Sequence, residues 1–329
     1  MKRITWLLGL LIMTFSLMAQ TAVLPAGEGT EASPYLIANW QNLYWISQNS
    51  SSWDKHFIQT ADINLTSTTP EITTWDSNHG WSPIEDDESQ FTGIYDGDGH
   101  IISGLYINRS ETNNQGLFGY SATGAEIKNI GLTDIRITGS TCVGGLVGNN
   151  NGNISNCYST GTVSGIDNVG GLVGNNNGNI SNCYSTGTVS GTNYVGGLVG
   201  NASTGLINNC LSIVTVSGNN NVGGLAGYIY FASIENCYST GNVVGNSNVG
   251  GLAGYLLMGS ISKCYSTGTV VGNSNVGGLL GFRHSYGTTS DSYYDKNTSG
   301  MSDTGKGTGK TTAEMKTQST FTNWEFVTV

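Results

Sequence analysis

VGGLVGNNNGNISNCYSTGTVSG, residues Val143 to Gly165, recurs letter for letter at Val169 to Gly191. Weaker copies follow. The Gly-Gly-Leu signature begins at Gly144, Gly170, Gly196, Gly223, Gly250 and Gly277, in steps of 26, 26, 27, 27 and 27 residues. Cys157, Cys183, Cys210, Cys237 and Cys264 keep the same rhythm. A fixed period of this length marks stacked units, each too small to bury its own apolar side. Each copy holds five or six glycines and many Asn, Ser and Thr, all poor helix formers. Its apolar residues come in short runs separated by turn residues, a pattern of two or three short strands per coil. Coils stacked about 4.8 Å apart would satisfy each strand's backbone groups from the copies above and below.

Equivalent residues then form ladders. Val143, Leu146, Ile154, Cys157 and Val163 are expected to point inward, with their copies Val169, Leu172, Ile180, Cys183 and Val189. The runs Asn149–Asn151 and Asn175–Asn177 are expected at a corner, because Asn tolerates left-handed backbone and can bond the next Asn in a stack. Tyr158, Tyr184, Tyr238 and Tyr265 each follow an inward cysteine, and alternation in a strand would turn them outward, as a stripe broken by Leu211. Such a stripe is the candidate binding site: it can stack on sugar rings or anchor a protein. Packing between ladder neighbours is the plainer reading of the same four rings.

The recurrent Gly145-Leu146-Val147-Gly148, Gly224-Leu225-Ala226-Gly227 and Gly278-Leu279-Leu280-Gly281 resemble the GLUG motif. The stretch Phe91–Leu105 is similar to the segment that leads into such repeats, and Gly309–Lys316 to the segment that follows them. The likeness covers roughly residues 27 to 329. It implies an all-β fold, a right-handed parallel β-helix (solenoid), of the kind found in bacterial secreted and surface proteins, adhesins and the non-catalytic part of some immunoglobulin A peptidases. It carries no catalytic residue across.

Met1 to Ala19 reads as a signal peptide: Lys2 and Arg3, an apolar run, then a small residue. Its removal takes the formal charge from −10 to −12. Residues 20–90 read as an N-terminal cap with first irregular strands. Within them Asn39 caps a short helix over Trp40–Gln48, and 66–90 form a loop outside the column. Residues 91–289 are the repeat β-helix, regular from 143 to 281, and 290–329 a C-terminal cap closed by Phe321, Trp324 and Phe326. No second apolar stretch is long enough to span a membrane once the signal is cleaved. An acidic, charge-poor chain excludes nucleic acid as a partner. Within 142–281 the only full charges are Asp167, Glu235 and Lys263.

Five of the six cysteines mark one repeat position, so they read as an inward thiol ladder, with disulfides between adjacent coils left open by the spacing. Cys142 lies off the ladder. Gly305–Thr311 resembles a phosphate loop but has Thr304 where the first glycine belongs. No cofactor is expected; calcium is left open by the Asp96-Gly97-Asp98-Gly99 turn and the run Glu85–Glu88. Asp62, Asp86, Asp96 and His100 are the residues from which a catalytic cluster would have to come. The leading expectation is a non-enzymatic, secreted or surface-bound protein acting in adhesion or interaction with glycans or cell-surface proteins. The alternatives are a polysaccharide-active lyase or hydrolase and a structural spacer.

Overall fold

The computed structural model describes residues 20–85, 89–303 and 306–325; the proposed signal peptide, Asp86 and Phe326 lie outside them. The repeat is a coil of four strands. In the coil quoted above these are Thr141–Gly144, Val147–Asn150, Asn153–Ser155 and Tyr158–Ser164. Each pairs in parallel with its copy one coil on, as Val143 with Val169, Val147 with Val173, Ile154 with Ile180 and Tyr158 with Tyr184. Four parallel sheets result, here called first to fourth in the order the coil visits them, with six, seven, ten and thirteen strands. The protein is thus an all-β parallel solenoid with little helix. Nine steps of ~4.8 Å separate the outer strands of the third sheet, roughly 43 Å of column.

Sequence reasoning anticipated two or three strands per coil. The fourth is explained by the corners, which are tighter than Gly and Asn counts alone suggest. Asn156, Asn182, Asn209 and Asn236 all have φ between 51° and 55°, and Asn168, Asn221, Asn248 and Asn275 between 50° and 54°. Left-handed backbone costs most residues roughly 1–2 kcal/mol but is visited readily by Asn. One corner of these coils, and one bend inside the first-sheet strand, are therefore turned by single residues. Their side chains form ladders as well: Asn248 Nδ2 donates to Asn221 Oδ1 and Asn275 Nδ2 to Asn248 Oδ1, both at 2.8 Å. The paired glycines let backbones cross closely. A Cβ on Gly171 would lie 2.2 Å from the carbonyl oxygen of Gly197.

All ten residues expected inward are buried, none above 2% exposed. The thiol ladder is inward too. Its five cysteines are free and buried, each Sγ reaching a backbone carbonyl, as Cys157 to Ser155 and Cys183 to Ser181, both 3.1 Å.

Of each Asn run only the last residue sits at the expected corner, where Asn177 Nδ2 donates to Asn151 Oδ1 (2.7 Å). Asn149 and Asn150 belong to the second-sheet strand, so they face opposite ways. Asn150 and Asn176 are completely buried. Asn150 Nδ2 donates to Asn176 Oδ1 (2.7 Å), and Asn150 Oδ1 accepts from Ser121 Oγ (2.6 Å). Asn149 and Asn175 form a partly exposed ladder outside (3.0 Å). The same inward position then passes through Ala202, Ile229 and Leu256. The core changes from amide to hydrocarbon as the column rises.

The parallel sheets begin well before the regular repeats, with Tyr35–Ile37 on His56–Gln59 and then Ile94–Asp96. Asn39 caps the helix Trp40–Ser47 through a bond from Asn42 N (3.0 Å). Residues 66–85 are not a loop outside the column. Ile72, Trp75, Trp81 and Ile84 are buried, and Tyr44 packs on Trp75 and Trp81. At the other end Thr311 and Glu314 form a capping box on the short helix Thr312–Met315. Phe321 and Trp324 do not close the far end. They lie against the rings of Tyr265 and Tyr293, on the flank of the fourth sheet.

Candidate binding surface

On the fourth sheet, Ser159 and Ser185 are buried, so alternation turns Tyr158 and Tyr184 outward. Backbone register runs Gly131, Tyr158, Tyr184, Leu211, Tyr238, Tyr265, Tyr293. The four candidate tyrosines therefore occupy one ladder. Tyr158 and Tyr184 stack with centroids 4.7 Å apart and planes 3° from parallel; Tyr238 and Tyr265 do so at 4.9 Å and 5°. Leu211 separates the two pairs. Tyr184 is the most open of the four, 37% exposed. The ladder begins where it does because the Tyr158 ring lies over Gly131, where a Cβ would come 2.2 Å from Tyr158 Cζ.

Both readings of the stripe are thus visible in its geometry. The rings pack on one another, and that packing holds them edge-up toward solvent without spending side-chain freedom at the moment of binding. Burial and the neighbouring Tyr158 hydroxyl raise the Tyr184 pKa. Burial, with a smaller contribution from Tyr238, pushes Tyr265 up to about 12. The surface is a neutral hydrogen-bonding one across the physiological range. A threonine row runs beside it, Thr186 Oγ1 donating to Thr160 Oγ1 at 3.1 Å.

A second aromatic ladder lies on the second sheet, and the sequence reading missed it. Its outward position reads Asn149, Asn175, Asn201, Tyr228, Tyr255, Phe282. Tyr228 and Tyr255 are 5.3 Å apart, Tyr255 and Phe282 5.0 Å. Tyr194 meets Tyr228 edge-on at 5.2 Å, and the exposed Tyr230 and Phe231 extend the patch. The signal was there: the residue after the Leu-(Val/Ala/Leu)-Gly triplet changes from Asn to Tyr or Phe in the later copies. None of the three charges in 142–281 falls on either ladder. Asp167 is on the first sheet, Glu235 on the third, and Lys263 follows a third-sheet strand.

Of the candidate catalytic and calcium residues, Asp62 and His100 pair between separate segments and Asp96 is held in a turn. His100 Nδ1 lies 3.1 Å from Asp62 Oδ1, which also accepts from Ile101 N; that backbone bond, ahead of the histidine, lowers the Asp62 pKa. Asp96 accepts from Asp98 N and Asn129 Nδ2, both at 2.9 Å, and its other oxygen lies 3.8 Å from Lys128 Nζ. This is an Asx turn closing the Asp-Gly-Asp-Gly stretch. Among the described residues, no three His, Cys, Asp or Glu side chains are placed to share a metal ion. In the phosphate-loop look-alike, Lys306 Nζ donates to Gly281 O (2.7 Å) and residues Thr308–Lys310 form a strand. That is a structural use of the lysine.

Known proteins share these coils. Residues 139–164, 167–190, 218–244 and 245–271 match the family model for the GLUG motif. The chain is 39% identical over 150 residues, 45% of its length, to halomucin from Haloquadratum walsbyi. It is 36% identical over 141 residues, 42% of its length, to a protein of Evansella cellulosilytica provisionally named a Gly-rich membrane protein. The aligned parts are only 2% and 16% of those two proteins. A crystal structure of a Bacteroides ovatus protein, provisionally named an immunoglobulin A1 protease, superposes with a TM-score of 0.60 at 22% identity. It covers 88% of this chain and 87% of its own, a likeness of fold. No helix among the described residues is long and apolar enough to cross a membrane. Four matched copies of the motif, stacked in register through residues 139–271, make this chain a GLUG-motif repeat protein.

Proposed function

We propose that this is a non-enzymatic protein of the cell surface or its surroundings, an interaction scaffold whose column offers aromatic rungs to neutral glycans. The observation that carries the reading is the in-register stack of outward tyrosines on fourth-sheet strands that, from residue 158 to residue 271, carry no charge. A glycan presents rows of hydroxyls, and the upturned tyrosine edges with their own hydroxyls, beside the threonine row, can bond them. The names of the relatives, a mucin and a membrane protein, agree with a surface role. The non-enzymatic part of the reading is supported by the use of Asp96 in closing its own turn.

The test is a glycan array probed with the full chain and with the Tyr158→Ala/Tyr184→Ala/Tyr238→Ala variant, which leaves Tyr265 in place. The expected result is retention of neutral glycans by the wild type and its loss in the variant. Retention that survives the triple substitution would remove the ladder as the site. A folded wild type that binds no glycan would replace the reading with a protein partner or a spacer. Release of reducing ends from any arrayed polysaccharide would replace it with an enzyme.

A further inference from the structure

The tyrosine ladder does not simply fade at its upper end. Where residues 312–325 fold back over the fourth sheet, a cavity of about 530 Å³ opens beside Tyr265. That is within the ~300–1,000 Å³ range of small-molecule sites. One wall is aromatic: Phe321 and Trp324 are 5.0 Å apart, and both rings approach Tyr265, at 6.3 and 6.1 Å. Thr240 and Thr267, the residues two beyond Tyr238 and Tyr265, contribute hydroxyls to the lining, and Lys316 an ammonium.

The cavity also holds a carboxylate. Asp295 is 2% exposed, yet it lines this space. Its Oδ1 is used by the fold, accepting from Asn297 N (2.9 Å), Thr298 N (3.3 Å) and Thr312 Oγ1 (3.0 Å). No donor among the described residues reaches Oδ2. That oxygen is not sealed from the cavity, so it stands as an available acceptor to whatever enters. The lining thus offers a stacking wall, one strong acceptor and several hydroxyls.

We infer that this cavity binds the terminal unit of a neutral saccharide. An anion would meet Asp295 and a cation Lys316, so neither charge sign is favoured. A hydroxyl-rich neutral ring can donate to Asp295 Oδ2, bond the threonines and lay its apolar face on Trp324 or Phe321. This rests on the glycan reading above and sharpens it: the ladder meets the chain's length and the cavity its end.

The experiment is saturation-transfer NMR on the full chain with methyl β-glucoside, methyl α-mannoside, methyl β-galactoside and N-acetylglucosamine. Glucosamine and glucuronate serve as charged comparators. At least one neutral sugar should bind. Trp324→Ala should weaken it about tenfold, and Trp324→Phe much less. Thr240→Val, which keeps the β-branched shape, should also weaken it. Tyr286→Ala, at an exposed ring outside the cavity lining, should leave it unchanged. Failure of every neutral sugar to bind, binding indifferent to Trp324→Ala and Thr240→Val, or preference for a charged comparator would overturn the inference. If arrayed glycans are lost in the ladder variant while the monosaccharides never bind, the cavity falls and the surface reading stands. If monosaccharides bind through Trp324 while the array ignores the ladder, the reverse holds.

Discussion

The buried amides of the second sheet give the sharpest test of how the column is held together. Asn176→Ala removes two hydrogen bonds at 2.7 Å, from Asn150 Nδ2 to Asn176 Oδ1 and from Asn176 Nδ2 to Gly178 O. At ~0.5–1.5 kcal/mol each, the loss is about 1–3 kcal/mol. Asn150→Ala removes four contacts, adding Ser121 Oγ and both backbone groups of Gly152, and should cost more. The two residues share one bond, so the double variant should be less destabilised than the sum by about 0.5–1.5 kcal/mol. Urea unfolding followed by circular dichroism measures the totals. Repeat arrays can unfold in parts, so amide exchange across Val173–Asn176 should accompany it. The reasoning fails if the two substitutions add within ~0.3 kcal/mol, or if Asn176→Ala is as stable as wild type. The wild-type column contains a natural comparison one rung up, where Ala202 stands under Ile229 and needs no amide partner.

Other consequences are simpler to check. In the native protein only Cys142, which is half-buried, should react with iodoacetamide, and slowly, because burial raises its thiol pKa; all six should react in denaturant. Ultraviolet titration should find Tyr265 protonated until about pH 12. A tyrosine pKa raised by folding means that stability is full below the unfolded value of about 10. It should fall as pH rises from there toward 12, the unfolded chain losing its proton first. Gly171→Ala places a Cβ against the Gly197 carbonyl, which cannot move without breaking the ladder, and should destabilise by at least about 1–3 kcal/mol in denaturant unfolding.

What the sequence revealed followed from repetition. Val143, Leu146, Ile154, Cys157 and Val163 were legible as core because each recurs with an apolar residue at every copy. Asn150 was not, because three consecutive asparagines carry no alternation of their own. The direction of Asn150 is written instead two, three and four rungs further on, in Ala202, Ile229 and Leu256. The second aromatic ladder was hidden likewise: Tyr228, Tyr255 and Phe282 stand where earlier copies have Asn. The ends resisted for the opposite reason. Trp75, Trp81 and Trp324 occur once each, in stretches without a period, and their places are set by contacts distant in sequence. The cavity beside Tyr265 needs residues from four separate stretches and could not be read from any one.

The two letter-perfect coils, 143–165 and 169–191, have a consequence for heredity. Because the two are identical, each offers the same strand edges to whatever coil lies above and below it. An in-frame duplication or deletion of one 26-residue unit would therefore present every strand with a partner it already fits. Identical neighbouring stretches of gene are also where replication slips most easily. Such a molecule can change its reach in increments of one rung, ~4.8 Å at a time, while both finished ends stay as they are. Length becomes a digital trait, adjusted by copying errors, and each added unit of the 143–191 type would bring one more tyrosine to the stack.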